Sequence, residues 1–151
     1  MKPGFLYASV ICMLLFMCLS SFSPAGTDGL VDDVLAETNL FRKSNGLPEL
    51  QLNEELNAIA QQHSNNMAKG KVAFGHDGFE KRNKMAVKSM KEISVFAENV
   101  LYGPTTGKDA VNMWKSSEGH RKNMLGSFRY VGIGIAKDKQ GRIYYTEIFA
   151  G

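Results

Sequence analysis

The apolar positions of this chain change their period several times, and each change predicts an element. Val31, Val34, Leu35, Thr38 and Phe41 recur at helical spacing. Thr27 or Asp28 can cap their start, and Gly46 with Pro48 stops them, so a first helix is predicted over roughly 28–45. After Asn53, the residues Leu56, Ile59, Ala60, His63 and Met67 share a second helical face that ends at Gly70. In GFEKRNKMAVKSMKEI, Phe79, Ala86, Met90 and Ile93 form a seam with most lysines opposite, the pattern of a basic amphipathic helix. SVFAENVLYG alternates and runs into Gly-Pro, which reads as a strand. GKDAVNMWKSS reads as a short helix with Ala110, Met113, Trp114 and Ser117 on one side.

The end of the chain carries the clearest β pattern. Val131, Ile133 and Ile135 alternate with Gly132, Gly134 and Ala136, and DKQG turns into a second strand rich in β-branched and aromatic residues. One face of this hairpin is nearly bare of side chains, so a helix is expected to pack unusually close to it. Helices first and strands last predict an α+β domain with helices layered on an antiparallel sheet. A chain of 151 residues without a repeat or a linker is the size of one such domain.

The N-terminus changes the picture of where that domain works. Lys2, an apolar run from Phe5 to Leu19 and a Ser/Pro/Ala stretch have the order of a secretory leader. Cleavage is expected after Ala25, leaving residues 26–151 as a secreted or extracytoplasmic domain, with an uncleaved membrane anchor as the alternative. Cys12 and Cys18 both lie in the leader, so the mature domain has no disulfide, thiolate ligand or cysteine nucleophile. A formal charge of +3 without a basic patch interleaved with aromatics argues against a nucleic-acid partner. The lysine face of the third helix is read as solvated surface, with anionic lipid or cell-wall polymer as the less favoured binding partner.

Candidate chemistry rests on few residues. Of three histidines, His63 shares an apolar helical face and reads as a hydrogen-bonded core residue. His76 lies between Gly75 and Gly78, and His120 lies beside Gly119, both outside any apolar period. Glu98 sits between Phe96 and Val100 on the same face of its strand, where an unpaired carboxylate costs several kcal/mol. It therefore needs a partner. One possibility is a shared His76/Glu98/His120 site holding zinc with an open position for water, Glu98 being the candidate general base. The other is neutralisation of Glu98 by Arg121, Arg82 or a lysine. Two imidazoles and a carboxylate suit zinc better than magnesium or calcium. Ser116 and Ser117 near His120 lack a Gly-x-Ser-x-Gly elbow, a weak basis for serine chemistry.

The ordered motifs LNAIAQQHSNNMA, FGHDGF, AENVLYG, AVNMWKSSEGHRKNML and YVGIGIAKD with IYYTEIFAG resemble the bacterial branch of the CAP superfamily (cysteine-rich secretory, antigen 5 and pathogenesis-related 1 proteins, with the SCP domain). The resemblance runs from about Leu30 to Gly151 and implies a three-layer α-β-α sandwich, secretion and a central cleft lined by histidines and acids. It implies that His76 and His120 are the two cavity histidines, that Glu98 is the Glu of the family's Gly-Glu-Asn motif, and that Ser117 stands where animal and plant members carry a fourth cavity acid. Glu118, one residue on, would point about 100 degrees away on a continuing helix. Members of that family are variously linked to metal binding, lipid or sterol binding, peptide or wall interactions and proteolysis; the function expected here is a monomeric module binding a divalent cation and an extracellular lipid, peptide or wall component. A metal-dependent hydrolase and a lipid-associating protein are the alternatives.

Overall fold

A computed structural model describes residues 27–151, and the expected leader, residues 1–25, lies outside the described residues. Nine elements follow in chain order: α1 (Thr27–Ser44), β1 (Gln51–Leu52), α2 (Glu54–Ala68), α3 (Phe79–Met90), β2 (Phe96–Tyr102), α4 (Gly107–Ser116), α5 (Glu118–Met124), β3 (Tyr130–Lys137) and β4 (Ile143–Ala150). The sheet order is β1-β3-β4-β2. β2, β4 and β3 pair antiparallel, while β1 adds two residues parallel to β3 at the far edge. Among the described residues, no helix is long and apolar enough to cross a membrane.

Alternation along the strands sorts the side chains into two faces. Val131, Ile133, Ile135, Tyr145 and Phe149 meet Val34 of α1, Val111 and Trp114 of α4, and Met124 of α5. On the other side, Ile148 and Ala150 meet Leu56, Ile59 and Ala60 of α2 and Ala86 of α3. The sheet is thus covered by α1, α4 and α5 on one face and by α2 and α3 on the other, an α-β-α sandwich.

The bare face of β3 does what its glycines suggest. A Cβ on Gly132 or Gly134 would come within 2.2 Å of the main-chain carbon of Leu56 or Ala60, so α2 lies directly on the strand backbone. That closeness lets side chains of α2 seal the part of β3 that β1 does not reach. Asn57 Oδ1 accepts from the Ile133 N–H at 2.8 Å, and the Gln61 amide both accepts from the Ile135 N–H at 3.0 Å and donates to its carbonyl at 2.7 Å. The backbone groups of an otherwise open edge are satisfied without another strand.

Local signals set most boundaries. Asn53 caps α2 by accepting from the Leu56 N–H at 3.0 Å, Thr106 caps α4 by accepting from Asp109 N–H at 3.1 Å, and Gly46 closes α1 at φ +73°. Three details depart from the periodic reading. α3 stops at Met90, and Ile93 is buried in the following bend instead of on the helix. The buried face of α4 is Gly107, Ala110, Val111 and Trp114, with Met113 half exposed, because Val111 takes the inward position. α4 ends at Ser116, and a new helix, α5, begins at Glu118, so the 100-degree relation between Ser117 and Glu118 does not hold.

Candidate functional site

Glu98 lies on β2, the edge strand beyond β4, in register with Ile148 and so on the α2/α3 face. Its side chain is fully buried, and its partner is Arg82, three residues into α3 on the stripe shared with Phe79 and Ala86. Arg82 grips the carboxylate from two nitrogens, Nε to Oε2 at 2.6 Å and Nη2 to Oε1 at 2.7 Å. Such a bidentate, charge-assisted pair is the arrangement in which a carboxylate can stay ionised out of water. Of the cations that the sequence offered to neutralise Glu98, Arg82 is the one that reaches it.

The same guanidinium builds the loop carrying His76. It donates from Nη1 to the Asp77 carbonyl at 2.7 Å and from Nη2 to the His76 carbonyl at 3.3 Å. Gly78, at φ +79°, caps α3 directly against Arg82, where a side chain would be strained. From beneath, His63 holds the loop: its Nε2 lies 2.8 Å from the Gly75 carbonyl, which only accepts, so Nε2 carries the proton. Burial, ahead of smaller charge effects, lowers the His63 pKa and keeps the ring neutral. The core reading of His63 therefore stands, with loop anchoring as its structural task.

His76 Nδ1 donates to Glu98 Oε1 at 2.8 Å, which fixes its tautomer when neutral and turns Nε2 outward as an acceptor. About half of the side chain, 49%, remains exposed. His120 approaches from α5 and is half-buried. Its pKa is lowered first by burial and then by positive charge on His76, so the two rings share one electrostatic environment.

Two asparagines dock α5 on the free edge of β2. Asn99 Nδ2 donates to the His120 carbonyl at 3.2 Å, and Asn123 Nδ2 donates to the Glu98 carbonyl at 3.1 Å and to Asn99 Oδ1 at 2.9 Å. The His76 loop is thereby tied to Glu98 and the His120 backbone to Asn99, adjacent residues of that strand. Asn99 and Asn123 went unremarked in the sequence because amides fit no apolar period and form no local ligand motif. Arg82 left a signal: a cation on an apolar helical stripe.

Ser117 is a half-buried corner between α4 and α5, at φ −99° and ψ 123°, and its side chain makes no capping bond. Glu118 is exposed in the first turn of α5, where a carboxylate complements the helix dipole. Ser116 donates its hydroxyl to the Asn112 carbonyl at 2.9 Å, away from any histidine.

The donor set does not fit the His76/Glu98/His120 zinc shell expected from the sequence. Both oxygens of Glu98 are engaged by Arg82, Oε1 also accepts from His76, and the side chain is fully buried, which leaves at most one lone-pair position, on Oε2, for a cation to reach. Among the described residues, no three His, Cys, Asp or Glu side chains are grouped to hold a metal ion. For the same reason Glu98 is not placed to take a proton from water.

The fold and the ordered motifs define a class, and comparison with known proteins agrees. The chain belongs to the cysteine-rich secretory protein (CAP) family, whose sequence model matches residues 35–149. It is 32% identical over 132 residues to the uncharacterized protein YkwD of Bacillus subtilis, covering 85% of this chain and 50% of that protein. It is 31% identical to the uncharacterized membrane protein YlbC of the same organism, over 77% of this chain and 33% of the relative. The chain therefore spans half or less of the curated relatives it matches. Among solved structures, an extracellular SCP-domain protein of Bacillus anthracis superposes with a TM-score of 0.68 at 25% identity, covering 85% of this chain and 44% of that one. A cysteine-rich secretory protein of Staphylococcus aureus superposes with a TM-score of 0.65 at 26% identity, covering 84% and 40%.

Proposed function

We propose that the domain is an extracytoplasmic binding module, working as a monomer, whose cleft at the free edge of β2 takes a polar peptide- or wall-derived ligand. The observation that carries this reading is the commitment of Glu98 to Arg82. A carboxylate held this way orients His76 but does not serve as a hydrolytic base. What the cleft offers a ligand is the outward Nε2 of His76, whose ring is fixed by its hydrogen bond to Glu98, and the half-buried ring of His120, whose backbone is held by Asn99. Such preorganisation favours binding because little ordering cost remains to be met. The extracytoplasmic placement is supported by the leader pattern in residues 1–25 and by the extracellular Bacillus anthracis relative.

Calorimetric titration of peptides and soluble wall fragments into the protein, with chromatography of the same mixtures with and without zinc, tests this. The expected result is binding without turnover, weakened about tenfold in His76→Ala and in His120→Ala, about 1.4 kcal/mol each. Zinc-dependent turnover lost in both variants would overturn the proposal and establish a hydrolase. A zinc site that disappears in His76→Ala would restore the metal reading.

A further inference from the structure

A second feature lies at the other end of the α2/α3 face. A groove of about 650 Å³ runs between the C-terminus of α2 and the turn from β3 to β4, lined by Lys69, Lys137, Lys139 and Arg142 with Asp138 as its carboxylate. Four cations thus face one acid, and that acid is spent within the turn. Asp138 accepts from Arg142 Nε at 2.8 Å and from the backbone N–H groups of Gln140 and Arg142 at 2.9 Å each. The turn is therefore held in shape by its one negative charge, while the lysine ammonium groups on the groove walls pair with no carboxylate among the described residues.

Aromatic rings continue from this groove toward the histidine cleft. Tyr144, in the groove wall and only 8% exposed, stacks on Tyr102 with ring centres 5.8 Å apart, and Tyr102 meets Phe74 edge-on at 4.8 Å. Tyr102 and Phe74 are 45% and 48% exposed, large apolar groups left in water side by side. Phe74 is two residues before His76, and Tyr102 ends the strand that carries Glu98. Core packing gives no reason for this exposure.

Cations beside a shallow row of rings suit a ligand with acid groups and flat, weakly apolar faces. Sugar rings present C–H faces that lie on aromatic rings, and their carboxylates or phosphates pair with lysine and arginine. An anionic membrane fits less well, since Tyr144, 8% exposed, cannot protrude among acyl chains. We propose that the groove and its ring row bind an acidic oligosaccharide, acid groups toward Lys69, Lys137 and Lys139 and sugar faces along Tyr102 and Phe74. This goes beyond the cleft reading and does not depend on it.

The test uses the full chain and measures binding of a galacturonic acid octamer by calorimetry at low and high salt. A neutral galactose octamer, inorganic phosphate, a thymidylate octamer and phosphatidylglycerol vesicles form the other arms. The acidic sugar is expected to bind at least tenfold tighter than the neutral sugar or phosphate, to weaken with salt, and to lose about tenfold in Tyr102→Ala and in Lys139→Glu. Circular dichroism checks that both variants fold. Should they not, Phe74→Ala and Lys137→Glu carry the same expectation. No binding of the acidic sugar, or binding indifferent to the ring and charge variants, overturns the proposal. Equal binding of the thymidylate octamer would reduce the groove to a charge patch, and vesicle binding lost in Lys139→Glu would assign it to a lipid surface.

Discussion

Two glutamates are buried one strand apart, and the protein treats them in opposite ways. Glu98 on β2 faces α2 and α3, while Glu147 on β4 pairs in register with Asn99 and faces α1, α4 and α5. Glu98 meets a guanidinium and an imidazole at hydrogen-bond distance. Glu147 accepts from the Thr38 hydroxyl at 2.9 Å on Oε1, and its Oε2 has no hydrogen-bond partner among the described residues. A cation is near, but Arg42 is committed to the carbonyls of Pro48, Met124, Gly126 and Phe128. Burial therefore pushes the Glu147 carboxyl up to about 8, against smaller opposing effects of Thr38, Asn99 and Arg42. The contrast teaches that burial alone does not make a functional carboxylate. The Glu98 ion pair leaves one edge of His76 facing water, whereas Glu147 is sealed and its raised pKa favours the protonated form.

The largest effect is expected from breaking the pair. Arg82→Ala leaves Glu98 buried without its counter-charge and strips two carbonyl contacts from the His76 loop, so a loss of about 3–5 kcal/mol is expected in urea unfolding. Arg82→Met combined with Glu98→Met removes both charges at similar volume and should recover most of that loss while abolishing the orientation of His76. A loss under about 1 kcal/mol in the single variant would mean that Glu98 is neutralised by something other than Arg82.

Glu147 supplies the complementary test, and its sign is fixed by its raised pKa. With 4.5 as the unfolded reference and about 8 in the fold, the folded state holds a proton that the unfolded chain has lost. Stability from this residue is therefore greatest at low pH and falls as pH rises from about 4.5 through 8. Glu147→Gln removes that slope. At about 1.4 kcal/mol per pKa unit, the stability of Glu147→Gln relative to the native protein should rise by roughly 4 kcal/mol between pH 5 and pH 9, the cost of burying an incompletely partnered amide entering equally at both. Unfolding curves of the two proteins that stay parallel across that range would show that Glu147 is not buried as described.

How far the sequence could be read follows from the same contrast. The glycine face of β3 foretold the close approach of α2, because the absence of side chains at Gly132 and Gly134 is a local fact with one packing consequence. Glu98 announced its need for a partner, since alternation placed it among Phe96 and Val100. The identity of the partner was not readable, because Arg82 lies on another element and competes on paper with every other cation. Arg42 and Glu147 were invisible for a related reason. Each sits at an inward position that the period assigns to an apolar residue, and what makes it tolerable comes from remote chain: carbonyls near residues 124–128 for one, Thr38 for the other. The break between α4 and α5 was missed as well. Ser117 is no strong breaker, yet its extended backbone there turns α5 toward β2 and brings His120 to the cleft.

The smallest expected effect separates the two faces by their response to acid. Burial lowers the pKa of His63 from 6.5, so the unfolded chain binds a proton that the folded chain resists. The stability this residue contributes is fully present above about pH 6.5 and is lost as pH falls through the lowered folded value. His120, lowered by burial and by charge on His76, acts in the same direction. Between about pH 4.5 and 6.5 the histidines and Glu147 thus oppose each other, and the native protein should show a shallow profile there. Glu147→Gln uncovers the histidine slope. Adding His63→Gln to that background keeps a donor for the Gly75 carbonyl but cannot take a proton, so the remaining dependence of stability on pH between 5 and 6.5 should shrink. Urea unfolding of the single and double variants at those two pH values measures it. An unchanged slope would place the acid sensitivity on His120 and the cleft, leaving His63 as an anchor whose protonation does not affect folding.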